Sequence, residues 1–273
     1  MTVSSVPSFE LPDAVGRLRA AGCVFAEDEA ALIASTARDV SELAAMVERR
    51  VAGLPLEHVL GWASFRGVRI AVDPGVFIPR RRTEFLVDEA LRVTRPGAVV
   101  VDLGCGSGAL GVAVAAERSV SLYAADIELA AVACARRNLV PWQGSVYQGD
   151  LFNALPDELR GRIDILLANV PYVPTNEIRL LPPEARLYEP HVTLDGGPDG
   201  LATLRRVAAG APEWLAPGGH VFVEMSEHQA PLARAVLREH GLAADLTSDD
   251  ELGATVVHGI RPAAERAGGT RGG

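Results

Sequence analysis

At 273 residues the chain is long enough for one large α/β domain and a smaller attachment. A hydrophobic share of 48% against 22% charged residues argues against a disordered chain, and no stretch approaches the ~20 apolar residues of a membrane span. A net charge of -9 argues against a general nucleic-acid binder, which needs clustered cations to neutralise phosphates.

All 26 basic residues are Arg, and the densest runs are Arg80-Arg81-Arg82 and Arg136-Arg137. Neither run amounts to a basic domain, so no stable nucleic-acid partner and no membrane partner is expected. The three cysteines, Cys23, Cys105 and Cys134, are odd in number and form no C-x-x-C. That pattern suits neither a disulfide framework nor zinc, so no metal site and a reducing, cytoplasmic setting are expected. The first twenty residues lack the apolar core of a signal peptide.

In chain order, residues 10–60 read as short helices. Leu11, Val15 and Leu18 recur at helical spacing before Gly22, and Leu43, Met46 and Val47 share a face before Gly53 and Pro55. FRGVRIAVDPGVFIP alternates apolar residues around Gly67, Pro74 and Gly75, which predicts a hairpin. RRTEFLVDEALRV is helical again. From residue 98 the rhythm is strand, turn, helix. The predicted strands are AVVVDL, SLYAAD, SVYQGD, RIDILLAN and GGHVFVEM, followed by a closing pair, LAADLTS and ATVVHGI. Helical patterns such as ELAAVACARRNLV and GLATLRRVAAGAPEWL separate the earlier strands. Such alternation implies a mostly parallel seven-stranded sheet with helices on both faces. The expected divisions are 1–63 helical, 64–78 a connecting hairpin, 79–263 the α/β domain and 264–273 a flexible tail.

The sharpest local signal joins the first strand of that sheet to its helix: Asp102-Leu103-Gly104-Cys105-Gly106-Ser107-Gly108. Gly104 and Gly106 let the backbone approach a ligand, and Gly108 lets the helix start tightly. Asp126 ends the next strand, where an acid can hold a ribose, with Ile127 beside it. Taken alone, this loop suits a dinucleotide or S-adenosylmethionine. Asp102 tilts the choice to the methyl donor, because a strand-tip carboxylate can meet a methionine amino group and would crowd a pyrophosphate. Asp150 and Leu151 follow the third strand, where an acid can accept an adenine amino group and an apolar side chain can cover the ring. A plain turn is the other reading of that pair. With Cys105 inside the loop, these residues are the candidate cofactor contacts. Trp142 and Tyr147 are expected in the core.

Asn169-Val170-Pro171-Tyr172 ends the fourth strand, and ligands of open α/β sheets gather at such strand ends. An amide nitrogen has its lone pair conjugated away. Two acceptors for its N–H bonds, the Asn169 side-chain oxygen and the Val170 carbonyl, would turn the lone pair toward a methyl and stabilise positive charge. Pro171 stiffens the turn and Tyr172 can pack on the planar group. The six histidines form no catalytic or metal motif.

These residues carry a resemblance. PLEHVLGWASFRG, DPGVFIPRRRTEFLVDEAL, VVDLGCGSGALGVAVA, NVPYVPT, YEPHVTLDGGPDGLATLRRV and LAPGGHVFVEMSEHQ together resemble the HemK/PrmC family of protein N(5)-glutamine methyltransferases over nearly the full length. The resemblance implies a class I S-adenosylmethionine-dependent methyltransferase domain, Rossmann-like, with a small helical N-terminal domain that docks the substrate protein. It implies S-adenosylmethionine as cofactor and, as partner, a class I peptide-chain release factor modified at the glutamine of its Gly-Gly-Gln loop. Asn169 matches the amide-binding asparagine, Asp102, Gly104 and Gly106 the donor loop, and Asp126 the ribose acid. Arg80 and Glu84 match an IPR-x-x-TE pattern that shapes the substrate pocket or the hinge. A helix-start carboxylate is the other reading of Glu84. The chain departs from the family at Val170 and Arg81, where Pro is usual, at Ser226 in place of Gly, and at Ala254-Thr255. Another protein substrate such as a ribosomal protein, adenine in nucleic acid, a dinucleotide oxidoreductase and a non-catalytic binding module are the competing readings.

Overall fold

The computed structural model describes residues 11–263; the expected tail at 264–273 lies outside them. Four helices open the described chain: α1 (Leu11–Ala20), α2 (Ala26–Thr36), α3 (Val40–Val51) and α4 (Leu56–Leu60). They bury a core of their own, built from Ala14, Leu18, Ile33, Met46, Val47 and Val59. Leu11 stands exposed at the first position of α1, so the buried stripe of that helix is Ala14 with Leu18.

A two-stranded hairpin follows, β1 (Trp62–Phe65) and β2 (Val68–Ala71). Asn138 fastens it to the larger domain. Its Oδ1 accepts the Ala71 N–H at 2.9 Å, and its Nδ2 donates to Ala71 O at 2.9 Å and to Ser107 O at 2.8 Å. One amide therefore ties the hairpin to the glycine-rich loop.

The larger domain continues with α5 (Glu84–Val93), β3 (Val99–Leu103), α6 (Ala109–Glu117), β4 (Ser121–Asp126), α7 (Leu129–Leu139), β5 (Ser145–Gln148) and β6 (Ile163–Leu167). It ends with α8 (Pro183–Tyr188), α9 (Ala202–Trp214), β7 (Leu215–Met225), α10 (Ala230–Glu239), β8 (Ala243–Asp249) and β9 (Ala254–Ile260). The seven strands lie in the order β5-β4-β3-β6-β7-β9-β8, and only β9 runs against its neighbours. This is the mostly parallel sheet expected from the alternation. Strand β7 begins three residues earlier than its apolar run. Its pairing with β6 jumps from Ile163–Leu215 to Ile165–His220, so the extra residues between Leu215 and His220 form an irregularity that extends the strand backward.

The central strands are apolar on both faces because both are covered. Val100 packs with α5 and α6, while Val101 and Leu103 pack on the opposite side with α9 and α10. Strand order reverses between β3 and β6, and at such a switch point a crevice opens beyond the carboxyl ends of the strands. Asp102 pairs in register with Leu167, so the loop after β3 and the turn after β6 emerge side by side. Among the described residues no helix is long and apolar enough to cross a membrane.

Candidate active site

A cavity of about 620 Å³ sits at this crevice, within the range of small-molecule sites. Gly104, Cys105, Gly106, Asp126, Ile127 and Leu151 line it together with Asn169, Val170, Pro171 and Tyr172. Asp150 and Arg80 line it as well.

Asp126 organises the loop. Its Oδ2 accepts the Gly106 N–H at 2.8 Å and its Oδ1 the Glu128 N–H at 2.9 Å. Burial pushes this carboxyl up, and the two N–H donors pull it back. Ile127 is exposed at the cavity edge, an apolar surface beside an acid. Leu151 holds a left-handed backbone, φ 50°, which is strained for a residue with a side chain. Asp150 pairs with Arg206, so that acid is already partly engaged. The Cys105 thiol is buried and its pKa is raised by desolvation and by Asp102, which keeps it protonated.

Three expected contacts lie elsewhere. Asp102 is buried and absent from the cavity lining; its Oδ2 accepts the Gly111 N–H of α6 at 2.9 Å. The cause is strand alternation: Asp102 points to the same side as Val100, into the α6 face. Gly108 also stands back from the lining. A Cβ there would meet Leu139 Cδ1 at 2.6 Å and Ala135 Cβ at 3.3 Å, so its glycine serves close packing of α6 against α7. Glu84 does not reach the cavity either. It opens α5 and accepts the Arg66 N–H at 3.1 Å, tying that helix to the hairpin turn.

The Asn169–Tyr172 turn is braced from behind by residues that the sequence did not assign to the site. Tyr172 Oη donates to Glu224 Oε1 at 2.8 Å, and Arg82 donates to both, at 2.6 Å to the hydroxyl and 3.0 Å to the carboxylate. Burial and the Glu224 charge raise the Tyr172 pKa, so the phenol remains a donor. Gln229 Nε2 donates to the Tyr172 carbonyl at 2.9 Å. The available signal was Glu224 itself, a charge in the apolar run VFVEM that ends at the carboxyl edge of the sheet.

Gly200 fits against the same turn. A Cβ there would stand 2.3 Å from the Tyr172 carbonyl oxygen and 2.2 Å from Gln229 Nε2, on a backbone at φ +77°. Gly200→Ala is therefore expected to displace Tyr172 and Asn169 and to cut turnover about 10²-fold, the cost of a misplaced reacting group. Binding of a ligand at the glycine loop should change little. Steady-state rates beside ligand-binding calorimetry check this, and full turnover would remove Gly200 from the brace.

The sheet order, the glycine loop and the switch-point cavity define a class I methyltransferase fold. A model of the methyltransferase small domain matches residues 67–181. Among solved structures, a methyltransferase from Pyrococcus furiosus aligns with a TM-score of 0.55 at 15% identity, over 72% of this chain and 90% of its own. That likeness concerns the fold alone. A release factor glutamine methyltransferase of Geobacter sulfurreducens is 38% identical over 226 residues, covering 81% of this chain and 78% of that protein. A protein of the same name from Gloeobacter violaceus is 41% identical over 198 residues, covering 70% and 68%. The chain belongs to the release factor glutamine methyltransferase family, as its sequence motifs implied.

Proposed function

We propose that the chain methylates the side-chain amide nitrogen of a glutamine in a class I peptide-chain release factor, within the Gly-Gly-Gln loop. The observation that carries this reading is one cavity lined by both the glycine loop and the Asn169–Tyr172 turn. The residues present fit S-adenosylmethionine. Gly104 and Gly106 offer an open backbone, Asp126 an acid for the ribose hydroxyls, and Ile127 and Leu151 apolar cover for the adenine. Bound there, S-adenosylmethionine supplies a methyl group on a positively charged sulfur.

The remaining chemistry belongs to the chain. Asn169 Oδ1 and the Val170 carbonyl accept the two N–H bonds of the substrate amide. They orient its lone pair and stabilise the positive charge that grows on nitrogen. Tyr172, fixed through Glu224 and Arg82, packs on the planar amide. No general base is needed before the bond forms, and the surplus proton then leaves an acidic nitrogen for water. Residues up to 63 are assigned to docking the substrate protein, 64–78 to the connection and 79–263 to catalysis. The unpaired Cys23, Cys105 and Cys134 agree with action in the cytoplasm.

Incubation with S-adenosylmethionine and the cognate release factor, followed by peptide mass spectrometry, tests the reading. One methyl on the Gly-Gly-Gln glutamine is expected. Donor binding without that methyl would move the substrate to another protein. Asp126→Ala should weaken donor binding about ten- to hundredfold, the worth of a hydrogen bond to a charged group. Unchanged affinity in calorimetry would take Asp126 out of the site.

A further inference from the structure

Glu189 serves neither the glycine loop nor the amide-binding turn. It directly follows α8, and its side chain is 1% exposed, yet it lines the cavity. One oxygen, Oε1, takes the Arg80 guanidinium. The other, Oε2, makes no well-formed hydrogen bond among the described residues, and the Ile78 N–H and Arg80 only partly offset the rise that burial imposes on the carboxyl. A carboxylate oxygen left bare at this depth is costly. The residue lines the cavity, so the cost is offset if a ligand entering there brings the donor. Arg80 is itself steadied over the Phe77 ring, 5.1 Å from its centroid, so the carboxylate is held in one orientation.

The wall that carries Glu189 is distinct from the glycine loop. It is formed by residues 77–82 and 181–194, and it touches the N-terminal helices. Arg50 pairs with Glu184 at 2.7 Å, and Tyr188 Oη donates to Ala52 O at 3.4 Å. This side of the cavity thus joins the part of the chain assigned to substrate docking.

We propose that Glu189 is a substrate-binding residue whose free oxygen accepts a backbone N–H of the peptide segment carrying the target glutamine. The inference rests on the function proposed above. Two glycines beside that glutamine present no side chains, so recognition must use their N–H and C=O groups. Those groups lose water as the segment enters and need partners inside. Glu189 supplies the acceptor. The same oxygen could instead meet the ammonium group of the donor's methionine, and the two cases separate by experiment.

Glu189→Gln and Glu189→Asp are compared with wild type on intact release factor. The first removes the charge, and the second keeps it but draws it back by one methylene. Both should raise KM for the release factor, by about ten- to hundredfold for the first, the worth of one charge-assisted hydrogen bond. Donor affinity in calorimetry should hold. If the Gln variant fails to fold, the Asp variant decides alone. An unchanged KM overturns the proposal. So does loss of donor affinity at constant KM, which would assign the oxygen to the methionine ammonium. A wild-type chain that methylates no release factor overturns the proposed function and this inference with it.

Discussion

Asn169→Ala is expected to slow methyl transfer about 10²–10³-fold while S-adenosylmethionine still binds, because one oriented acceptor of developing charge is worth that much. In the proposed reaction the substrate amide gives up conjugation before it attacks, and Asn169 Oδ1 is assigned to hold one of its two N–H bonds. The other bond is assigned to the Val170 carbonyl, which a side-chain substitution leaves in place, so residual turnover should persist. Asn169 lines the cavity after β6, and no brace of the turn runs through its side chain: Tyr172 is held through Arg82, Glu224 and Gln229. The variant should accordingly fold and melt like wild type. Single-turnover rates with saturating donor make the test. A variant as fast as wild type would end the assigned role. A variant that is slow only because the donor no longer binds would shift Asn169 to cofactor binding.

What the sequence made legible follows from local physics. Strands β4 and β9 lie where their apolar runs end, since a short run bounded by turn residues marks a strand directly. The glycine loop and the Asn169–Tyr172 turn could be joined in advance because the strand-end rule brings them to one edge. The stretch 173–201 was illegible. It holds short turns and the six-residue α8, fixed by an isolated bridge between Val173 and Asp195 and by scattered side chains. No period of 2 or 3.6 marks such a segment. Glu189 and Glu224 escaped for a related reason. Their partners Arg80 and Arg82 stand 109 and 142 residues away, and only the folded chain brings them together. Asp102 stands on the expected strand end, but its side chain serves the start of α6 and does not line the cavity. Its alternation with Val101 and Leu103 turns it toward α6.

That burial makes Asp102 the source of a measurable pH effect. Desolvation pushes its carboxyl up to about 7 from an ordinary 3.8, against the pull of the Gly111 N–H. Between these values the folded chain keeps a proton that the unfolded chain has released. Stability should therefore fall as pH rises from about 4 to about 7 and level off above, by roughly 4 kcal/mol as an upper bound. His258 acts in the opposite sense. Burial and the neighbouring His220 lower it to about 4, so its contribution is present above 6.5 and is lost as pH falls. The wild-type curve mixes these effects with those of Asp126 and Glu189, whose carboxyls burial also raises. A comparison with Asp102→Asn isolates the one group. Asn keeps an oxygen for the Gly111 N–H and cannot ionise. Wild type and variant should melt together only below about pH 4, where the side chain is neutral in the folded and the unfolded chain alike. At pH 8 the variant should melt several degrees higher, since each kcal/mol moves the midpoint of a domain this size by about 2–4 °C. A variant destabilised equally at both pH values would mean that the Asp102 charge is held in the fold and that its burial is compensated.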